Sequence, residues 1–323
     1  MPILEPIDDP SMDRRDLIKG AGTLAALLAA ADAAAGADDP ADRVPDAQGG
    51  PVLPSVPFGR HRITRLIAGA NPIYGHSHFN YLFNAHMVEY HNTPRVISFL
   101  KQLEKAGLTT WQASWSERLE KDWLEYKQQG GTLQLLLLSR PTFNQQPEML
   151  KRAMKLNPIG IAQHGGSTKQ LWESGKFDLA KDYLSRIRDT GAMAAISCHE
   201  PKVIEYIEEK GWDLDYYMTA LYNIVRPQSE FAKILGEVPY GEVYLASDPP
   251  RMMSVIRKTK RPCLAYKVLA AGRTVSSPAQ VKSRIAAALD GIKPGDALII
   301  GMYQRFNDQI GQTAQFVREL LKA

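Results

Sequence analysis

The sequence predicts an α/β protein, a (β/α)₈ TIM barrel, and three observations predict it. Short apolar runs alternate with longer stretches of 3.6-residue periodicity from Ile63 to the C-terminal end. Eight such pairs can be read, the number that closes a parallel sheet on itself. The runs are nearly continuously apolar, as in Leu135-Leu136-Leu137-Leu138 and Ala297-Leu298-Ile299-Ile300, which suits strands covered on both faces. An open doubly wound sheet is the alternative. The glycine-rich phosphate loop it would carry after its first strand is absent, since Gly69 and Gly75 do not fit GxGxxG.

Strands are read from short runs rich in β-branched residues, helices from longer periodic stretches. The first strand is Ile63 to Gly69, followed by a long loop and a helix that starts at the cap Thr93-Pro94 and runs to Ala106. The second strand, Leu108 to Ser114, precedes a helix over Glu117 to Gln128. The third, Leu133 to Ser139, precedes Pro147 to Lys155, and the fourth, Gly160 to His164, precedes Phe177 to Thr190. The Gly165-Gly166 pair between them reads as a sharp turn of the loop, or as a place where a ligand approaches the backbone. The fifth strand is Ala192 to Cys198 and its helix Pro201 to Lys210. The sixth, Tyr216 to Tyr222, leads through a longer excursion to the helix Pro250 to Lys260. The seventh is Cys263 to Leu269 with Pro278 to Asp290, and the eighth Ala297 to Met302 with the closing helix Asp308 to Leu321.

The first 50 residues differ from the rest. The paired arginines of Asp13-Arg14-Arg15-Asp16-Leu17-Ile18-Lys19 precede an alanine-rich apolar run from Leu24 to Ala31, then the small residues Ala35-Gly36-Ala37. That order describes a secretory leader, and the arginine pair with mild hydrophobicity is similar to a bacterial twin-arginine signal. The expected organisation is a signal peptide over 1–37, a flexible Asp/Pro/Gly-rich linker over 38–56 and one barrel domain over 57–323. The Tat translocase is then a partner during export, and the destination is the periplasm or outside the cell. A frayed, alanine-rich amphipathic arm is the other reading of the same residues.

Hydrophobic residues make up 44% of the 323 and charged residues 23%, which excludes collagen, coiled coil and wholesale disorder. No apolar run reaches the roughly 20 residues of a membrane span, so no membrane association is expected after cleavage. Beyond residue 50 the chain holds 35 basic and 25 acidic side chains, a net of +10. No Arg/Lys cluster is interleaved with aromatics, so nucleic acid is not an expected partner. Two cysteines exclude a disulfide framework. Cys198 ends strand five and Cys263 begins strand seven, so they should lie at opposite ends of the barrel, too far apart to bridge. Cys198 beside His199 also has the residue types of a thiol nucleophile and its base.

In a (β/α)₈ barrel the active site lies at the C-terminal strand ends. Six of the seven histidines, His76, His78, His86, His91, His164 and His199, fall at or just beyond those ends. His86 and His91 read as surface residues. His76, His78, His164 and His199 have the residue type to hold a divalent metal, with Glu200 completing the site; histidines binding substrate without metal are the alternative. Lys267 would position or polarise a carbonyl or hydroxyl. Asn71, Tyr74, His76, Gln112, Arg140, Tyr222 and Asn223 line the same rim as candidate substrate contacts. Trp111, Trp115 and Trp123 read as packing for the second unit, although Trp115 has the shape to stack on a sugar ring. The loop from Ala70 to Asn92 carries five aromatics and four histidines, and reads as a lid or substrate wall.

Several strand ends resemble the aldo-keto reductase superfamily. The segment Ala265-Tyr266-Lys267-Val268-Leu269-Ala270-Ala271-Gly272 is similar to that family's strand-seven segment, and Ile300-Gly301 with Gln309 to Thr313 to its strand-eight cofactor segment. Gly160 to His164 resembles its strand-four end, and Ala195 to Pro201 its strand-five turn. The resemblance implies a barrel over roughly residues 57 to 323, with NADP(H) held near Gly301, Gln304 and Arg305. It also implies an Asp/Tyr/Lys/His tetrad, of which only His164 is present. Gln112 stands where the aspartate would be, the tyrosine position falls near Glu117, and Ser139-Arg140 replaces the lysine.

A carbonyl here lacks that family's general acid. The expectation is therefore non-reductive acid/base chemistry, metal-assisted in one version, on a sugar-like substrate, with His164, Lys267, His199 and Glu200 as the catalytic set. An NADP-dependent oxidoreductase with a rearranged set, and a carbohydrate-binding barrel without catalysis, are the two alternatives.

Overall fold

The computed structural model describes residues 53–322 apart from 141, 142, 144 and 145. Strands β1 (Ser55–Phe58) and β2 (His61–Thr64) form an antiparallel hairpin, with Ser55 opposite Thr64 and Phe58 opposite His61. Then follow β3 (Leu66–Gly69), α1 (Tyr81–Tyr90), α2 (Thr93–Lys105), β4 (Thr110–Ser114), α3 (Glu117–Gln128), β5 (Gln134–Leu138) and α4 (Pro147–Met154). Next come β6 (Gly160–Gln163), α5 (Gly165–Glu173), α6 (Leu179–Asp189), β7 (Met193–Cys198), α7 (Pro201–Glu209), β8 (Tyr216–Ala220), α8 (Gln228–Leu235) and α9 (Asp248–Ile256). The chain closes with β9 (Cys263–Tyr266), α10 (Pro278–Gly291), β10 (Ala297–Gly301) and α11 (Gln309–Leu321).

Strands β3 to β10 are parallel and form a closed barrel in which β10 hydrogen-bonds back to β3, Gly301 lying opposite Gly69. The fold is a (β/α)₈ barrel, as the sequence predicts, and not an open sheet. Alternate strand positions feed two apolar groups. Ile67, Leu136, Ala162, Met218, Leu264 and Ile299 fill the interior, while Trp111, Leu135, Ile161, Ile196, Tyr217 and Leu298 meet the helices. The helices are capped by ordinary means: the side chains of Asn92, Ser116 and Ser277 each accept a hydrogen bond from the first turn of α2, α3 and α10.

The hairpin was not foreseen. The expected first strand, Ile63 to Gly69, is broken at Arg65, whose backbone N–H donates to the Pro54 carbonyl at 2.8 Å. Ordered structure therefore begins before residue 57: Leu53 is buried and Ser55 and Val56 pair in β1. The hairpin seats Phe58 edge-on against Tyr216, ring centroids 4.9 Å apart, across the N-terminal end of the barrel. Its turn needs Gly59, which has φ +55° and would bring a Cβ to 2.9 Å from Met193 Sδ. The signal peptide reading and residues 38–52 of the linker lie outside the described residues.

Three helices also replace expected loops. In the Ala70 to Asn92 loop, α1 starts at Asn80, whose side chain accepts from Phe83 N at 2.8 Å. It exposes Tyr81 and Leu82 as well as burying Met87 and Tyr90, so its apolar residues show no period. The excursion after β8 holds α8, which buries only Phe231. The Gly165-Gly166 pair opens α5 instead of turning a loop, because helix and barrel approach closely there: a Cβ on Gly165 would stand 3.2 Å from His199 Cδ2. Among the described residues no helix is long and apolar enough to cross a membrane.

The two cysteines are buried and free. They are nearer than the opposite ends expected for them, since Cys198 pairs through Thr219 with Ala265, two residues along β9 from Cys263. Burial pushes the Cys198 thiol well above the ordinary range, which removes the thiolate that a nucleophile needs.

Candidate active site

Strand parity sends Ser197, His199 and Tyr266 to the inner side of the C-terminal rim, where they form one hydrogen-bonded chain. Tyr266 Oη lies 3.2 Å from His199 Nε2 and 3.0 Å from Ser197 Oγ. The other ring nitrogen, Nδ1, lies 3.3 Å from the Tyr222 carbonyl. A carbonyl only accepts, so Nδ1 carries the proton and Nε2 of the neutral ring accepts from Tyr266. Ser197 then donates to Tyr266. Burial first, and the Lys267 charge second, push the His199 ring down to about 3, against the opposing pull of the Tyr222 carbonyl. His199 is therefore neutral at physiological pH. Burial holds the Tyr266 hydroxyl above its ordinary range, so it keeps its proton.

Lys267 follows β9 directly, in the left-handed region at φ +62°. Such a backbone costs about 1–3 kcal/mol for a side-chain-bearing residue and is found where function requires a particular aim. Its Nζ is buried and has no hydrogen-bond partner, and it lies 5.8 Å from the centre of the Tyr244 ring. Burial lowers its pKa to about 8, the Glu242 carboxylate opposing and the Arg273 guanidinium assisting.

A roof covers this lysine. His78, also at positive φ, meets Glu242 through Nδ1 at 2.7 Å. Asn71 Nδ2 lies 3.3 Å from His78 Nε2, and Tyr244 donates to Glu242 at 3.0 Å. Burial pushes the Glu242 carboxyl up, but the His78 bond and the His78 and Lys267 charges outweigh it and hold the group below the usual carboxylate range. Arg273 fastens the two loops together, donating to the His78 carbonyl at 3.2 Å and the Glu242 carbonyl at 3.4 Å, with its guanidinium 4.2 Å from the Tyr244 ring centre.

His164 stands at the same rim as the N-cap of α5. Its Nδ1 accepts from Gly166 N at 3.0 Å, which puts the proton of the neutral ring on Nε2. Burial, then the Arg140 and His76 charges, lower its pKa. His76 is lowered likewise by burial, His78 and Arg140. Lys267, His164, His76, Asn71 and Arg140 thus remain at the rim, and Tyr222 supports it through its carbonyl and its ring, 5.3 Å from that of Tyr244. Gln112 is buried midway along β4, two residues short of the C-terminal end of the strand.

The other expected contacts are committed elsewhere. Tyr74 donates to Asp122 at 3.2 Å and lies over Trp111, facing helix α3 and not the mouth. Glu200 accepts from Asn223 at 2.8 Å, and the Asn223 carbonyl accepts from Arg226 at 2.7 Å. Arg226 is also paired with buried Asp248. Glu200 and Asn223 therefore anchor the loop after β8 and are not free acids or bases. Trp115 packs on Phe143 with Arg152 over its ring, as a core residue. His91 is buried, not a surface residue: its Nδ1 lies 2.9 Å from the Met87 carbonyl and its ring among Tyr90 and Tyr303. His86, half-buried, stacks on Phe83 and Phe306.

The four-histidine metal set is not assembled. Among the described residues no three His, Cys, Asp or Glu side chains converge to hold an ion. His199 and His78 have both ring nitrogens engaged, and His164 has one. Of the residues implied for NADP(H), Gln304 is the one already committed within the protein. Gln304 donates to Gln102 at 3.0 Å and accepts from Ile310 N at 3.1 Å, so it shapes its own loop. Arg305 lies 5.0 Å over the Tyr90 ring, and a side chain on Gly301 would meet Pro72 at 2.9 Å.

Sequence reasoning missed Ser197, Tyr266, Glu242, Tyr244 and Arg273. For the first two the signal was present: both fall on the inward parity, and Ser197 stands in β7 two residues before His199, which directly follows the strand. A hollow of about 200 Å³ between Arg65, Pro294 and Leu321 lies near the opposite end of the barrel, away from this chemistry.

No protein-family model matches the sequence, and no curated protein matches it. Among solved structures, the chain is similar to a truncated 3-deoxy-D-arabino-heptulosonate 7-phosphate synthase from Thermotoga maritima, at 11% identity and TM-score 0.49, over 85% of this chain and 93% of that one. It is similar to a glycerol dehydrogenase from Gluconobacter oxydans at 10% identity and TM-score 0.43, over 82% and 94%. An aldo/keto reductase from Brucella melitensis gives 11% identity and TM-score 0.43, over 83% and 98%. Likenesses of this size concern the barrel alone.

Proposed function

We propose that this chain is an exported enzyme that moves protons on a polyhydroxylated, sugar-like carbonyl compound without net reduction, as an isomerase, epimerase or lyase does. One observation carries the reading: a buried, unpartnered lysine amine at the catalytic end of a barrel, beside a tyrosine whose proton is already aimed at a neutral histidine. A charge-capable group kept dry without a partner is unfavourable unless a ligand supplies the partner.

The residues divide the work as follows. Lys267, whose amine titrates near 8, exists in part as the free base at neutral pH and takes a proton from carbon or oxygen. His164 presents its Nε2–H as a donor to a substrate oxygen. Tyr266, held between Ser197 and His199, gives or receives the proton at the other side. The roof of His78, Glu242 and Tyr244 excludes water. Asn71, His76 and Arg140 at the rim are of the polar residue types that suit hydroxyl groups.

The test is proton exchange in heavy water. The full chain is incubated with a panel of aldoses, ketoses and sugar acids, and loss of the carbon-bound proton next to the carbonyl is followed by NMR. Exchange or isomerised product, reduced at least about 100-fold in Lys267→Met, is the expected result. Turnover that requires NADPH would replace this reading with the oxidoreductase, for which Tyr266, His199 and Lys267 would be the rearranged proton-donating set. Saturable sugar binding without exchange would leave a binding barrel.

A further inference from the structure

We propose that Lys267 is a covalent catalyst, forming an imine with the carbonyl carbon of an open-chain aldehyde or ketone substrate. The inference rests on the proton-transfer reading above and deepens it: it reassigns Lys267 from proton acceptor to nucleophile, and so fixes the substrate class as a compound with a free carbonyl, not a glycoside or a closed acetal.

The geometry points to addition, not simple proton abstraction. The amine sits at the end of a stem rooted on a left-handed backbone position, directly after a barrel strand. Its head is buried with no hydrogen-bond donor or acceptor in reach. A lysine whose task is electrostatic is normally paired with a carboxylate or carbonyl, and this chain builds such a site for Lys293, whose Nζ reaches the Ile256 carbonyl at 2.8 Å and Asp296 at 3.0 Å. At Lys267 the nearest carboxylate, Glu242, is instead drawn to His78 and Tyr244. Glu242 is thereby kept off the amine, and the Tyr244 ring beneath Nζ offers a face to a cationic iminium as readily as to an ammonium. Free amine is available: with the pKa near 8, its fraction at pH 7 is roughly 300-fold that of an ordinary lysine.

The step balances as follows. The Nζ lone pair forms a C–N bond to the carbonyl carbon, and the C=O π pair moves to oxygen, which takes a proton. The nitrogen loses a proton, the hydroxyl takes a second one, the C–O bond then breaks with departure of water as the nitrogen lone pair forms the C=N π bond, and a protonated C=N results. Overall, one amine, one carbonyl and one proton give one iminium and one water, with no oxidant or reductant. The iminium draws electrons from the adjacent carbon, so that the C–H bond there is the one acidified, and hydrolysis returns the free lysine.

The experiment is reductive trapping on the full chain with dihydroxyacetone and, separately, glyceraldehyde, using borohydride. The expected result is one added mass equal to the probe plus two hydrogens less one water, mapped by peptide fragmentation to Lys267 ahead of every other lysine. Labelling should rise with pH and level off near 8, where exposed lysines continue to gain. Lys267→Arg should lose that adduct while keeping its circular dichroism. Should that variant not fold, the peptide map and pH profile of the wild-type chain decide alone. Adducts spread over surface lysines, or none at Lys267, overturn the proposal. Proton exchange without trapping would overturn the imine and leave the acid/base reading intact; trapping without exchange would do the opposite.

Discussion

Two lysines at opposite ends of one barrel have opposite surroundings. Lys293, at the N-terminal end, is fully partnered: its Nζ meets the Ile256 carbonyl, Thr259 Oγ1 at 3.1 Å and Asp296 Oδ2 at 3.0 Å. Asp296 in turn accepts from Cys263 N and Lys293 N, both at 2.8 Å. Lys267, at the C-terminal end, meets an aromatic ring and nothing that hydrogen-bonds. The first arrangement ties β9, α9 and β10 together. The second contributes no such tie and keeps an amine in reserve. On the proposed function, stability and chemistry are separated along the barrel axis, which is the division of labour this architecture favours.

The comparison can be broken most severely at Asp296. Asp296→Ala leaves the Cys263 and Lys293 amides without their acceptor and the Lys293 ammonium without its counter-charge, and should destabilise the chain by about 3–5 kcal/mol in urea titration. Lys267→Met should act in the other direction. The folded lysine titrates near 8 against 10.5 for the ordinary value, so the unfolded chain binds more protons between those limits. Wild-type stability should therefore rise with pH from about 8 to about 10.5, and the variant should lose that rise. Below pH 8 the variant should be more stable by about 3 kcal/mol while losing activity. A variant destabilised at neutral pH would show that Lys267 is structural.

Smaller effects sharpen the picture. Tyr266→Phe strips His199 Nε2 and Ser197 Oγ of their partner, and should destabilise by about 1–2 kcal/mol in thermal unfolding. Arg273→Ala should change global stability by under about 1 kcal/mol, since its bonds are exposed. It should nevertheless speed amide hydrogen exchange around His78 and Glu242, because Arg273 reinforces the His78–Glu242 contact that joins the two loops.

The barrel was legible because burial on both faces writes continuous apolar runs into strands, and Leu135 to Leu138 show this plainly. Rim residues followed from strand ends, which is why Lys267, His164 and His199 were found. What those residues do was not legible. Glu200 looks like a free carboxylate until Asn223 reaches it from the loop after β8, and Gln304 looks like a cofactor contact until Gln102 reaches it from α2. The roof was hidden for a related reason: Glu242 and Tyr244 lie in a segment without period, and only tertiary contact with His78 and Arg273 gives them meaning. Helix α5 was hidden because two glycines usually signal a turn, whereas here Gly165 is small to let a helix pass His199.

The hairpin that closes the N-terminal end also bears on how the chain is made. Phe58 leaves the ribosome 158 residues before Tyr216, on which it rests, and Arg60 donates to the Gly191 carbonyl 131 residues further on. Translation therefore delivers the plug long before its seat exists. The seat is complete only when β10 returns to β3, so this early hairpin is among the last elements to find its place. Long-range closure of this kind slows folding and keeps the nascent chain open until synthesis is nearly finished.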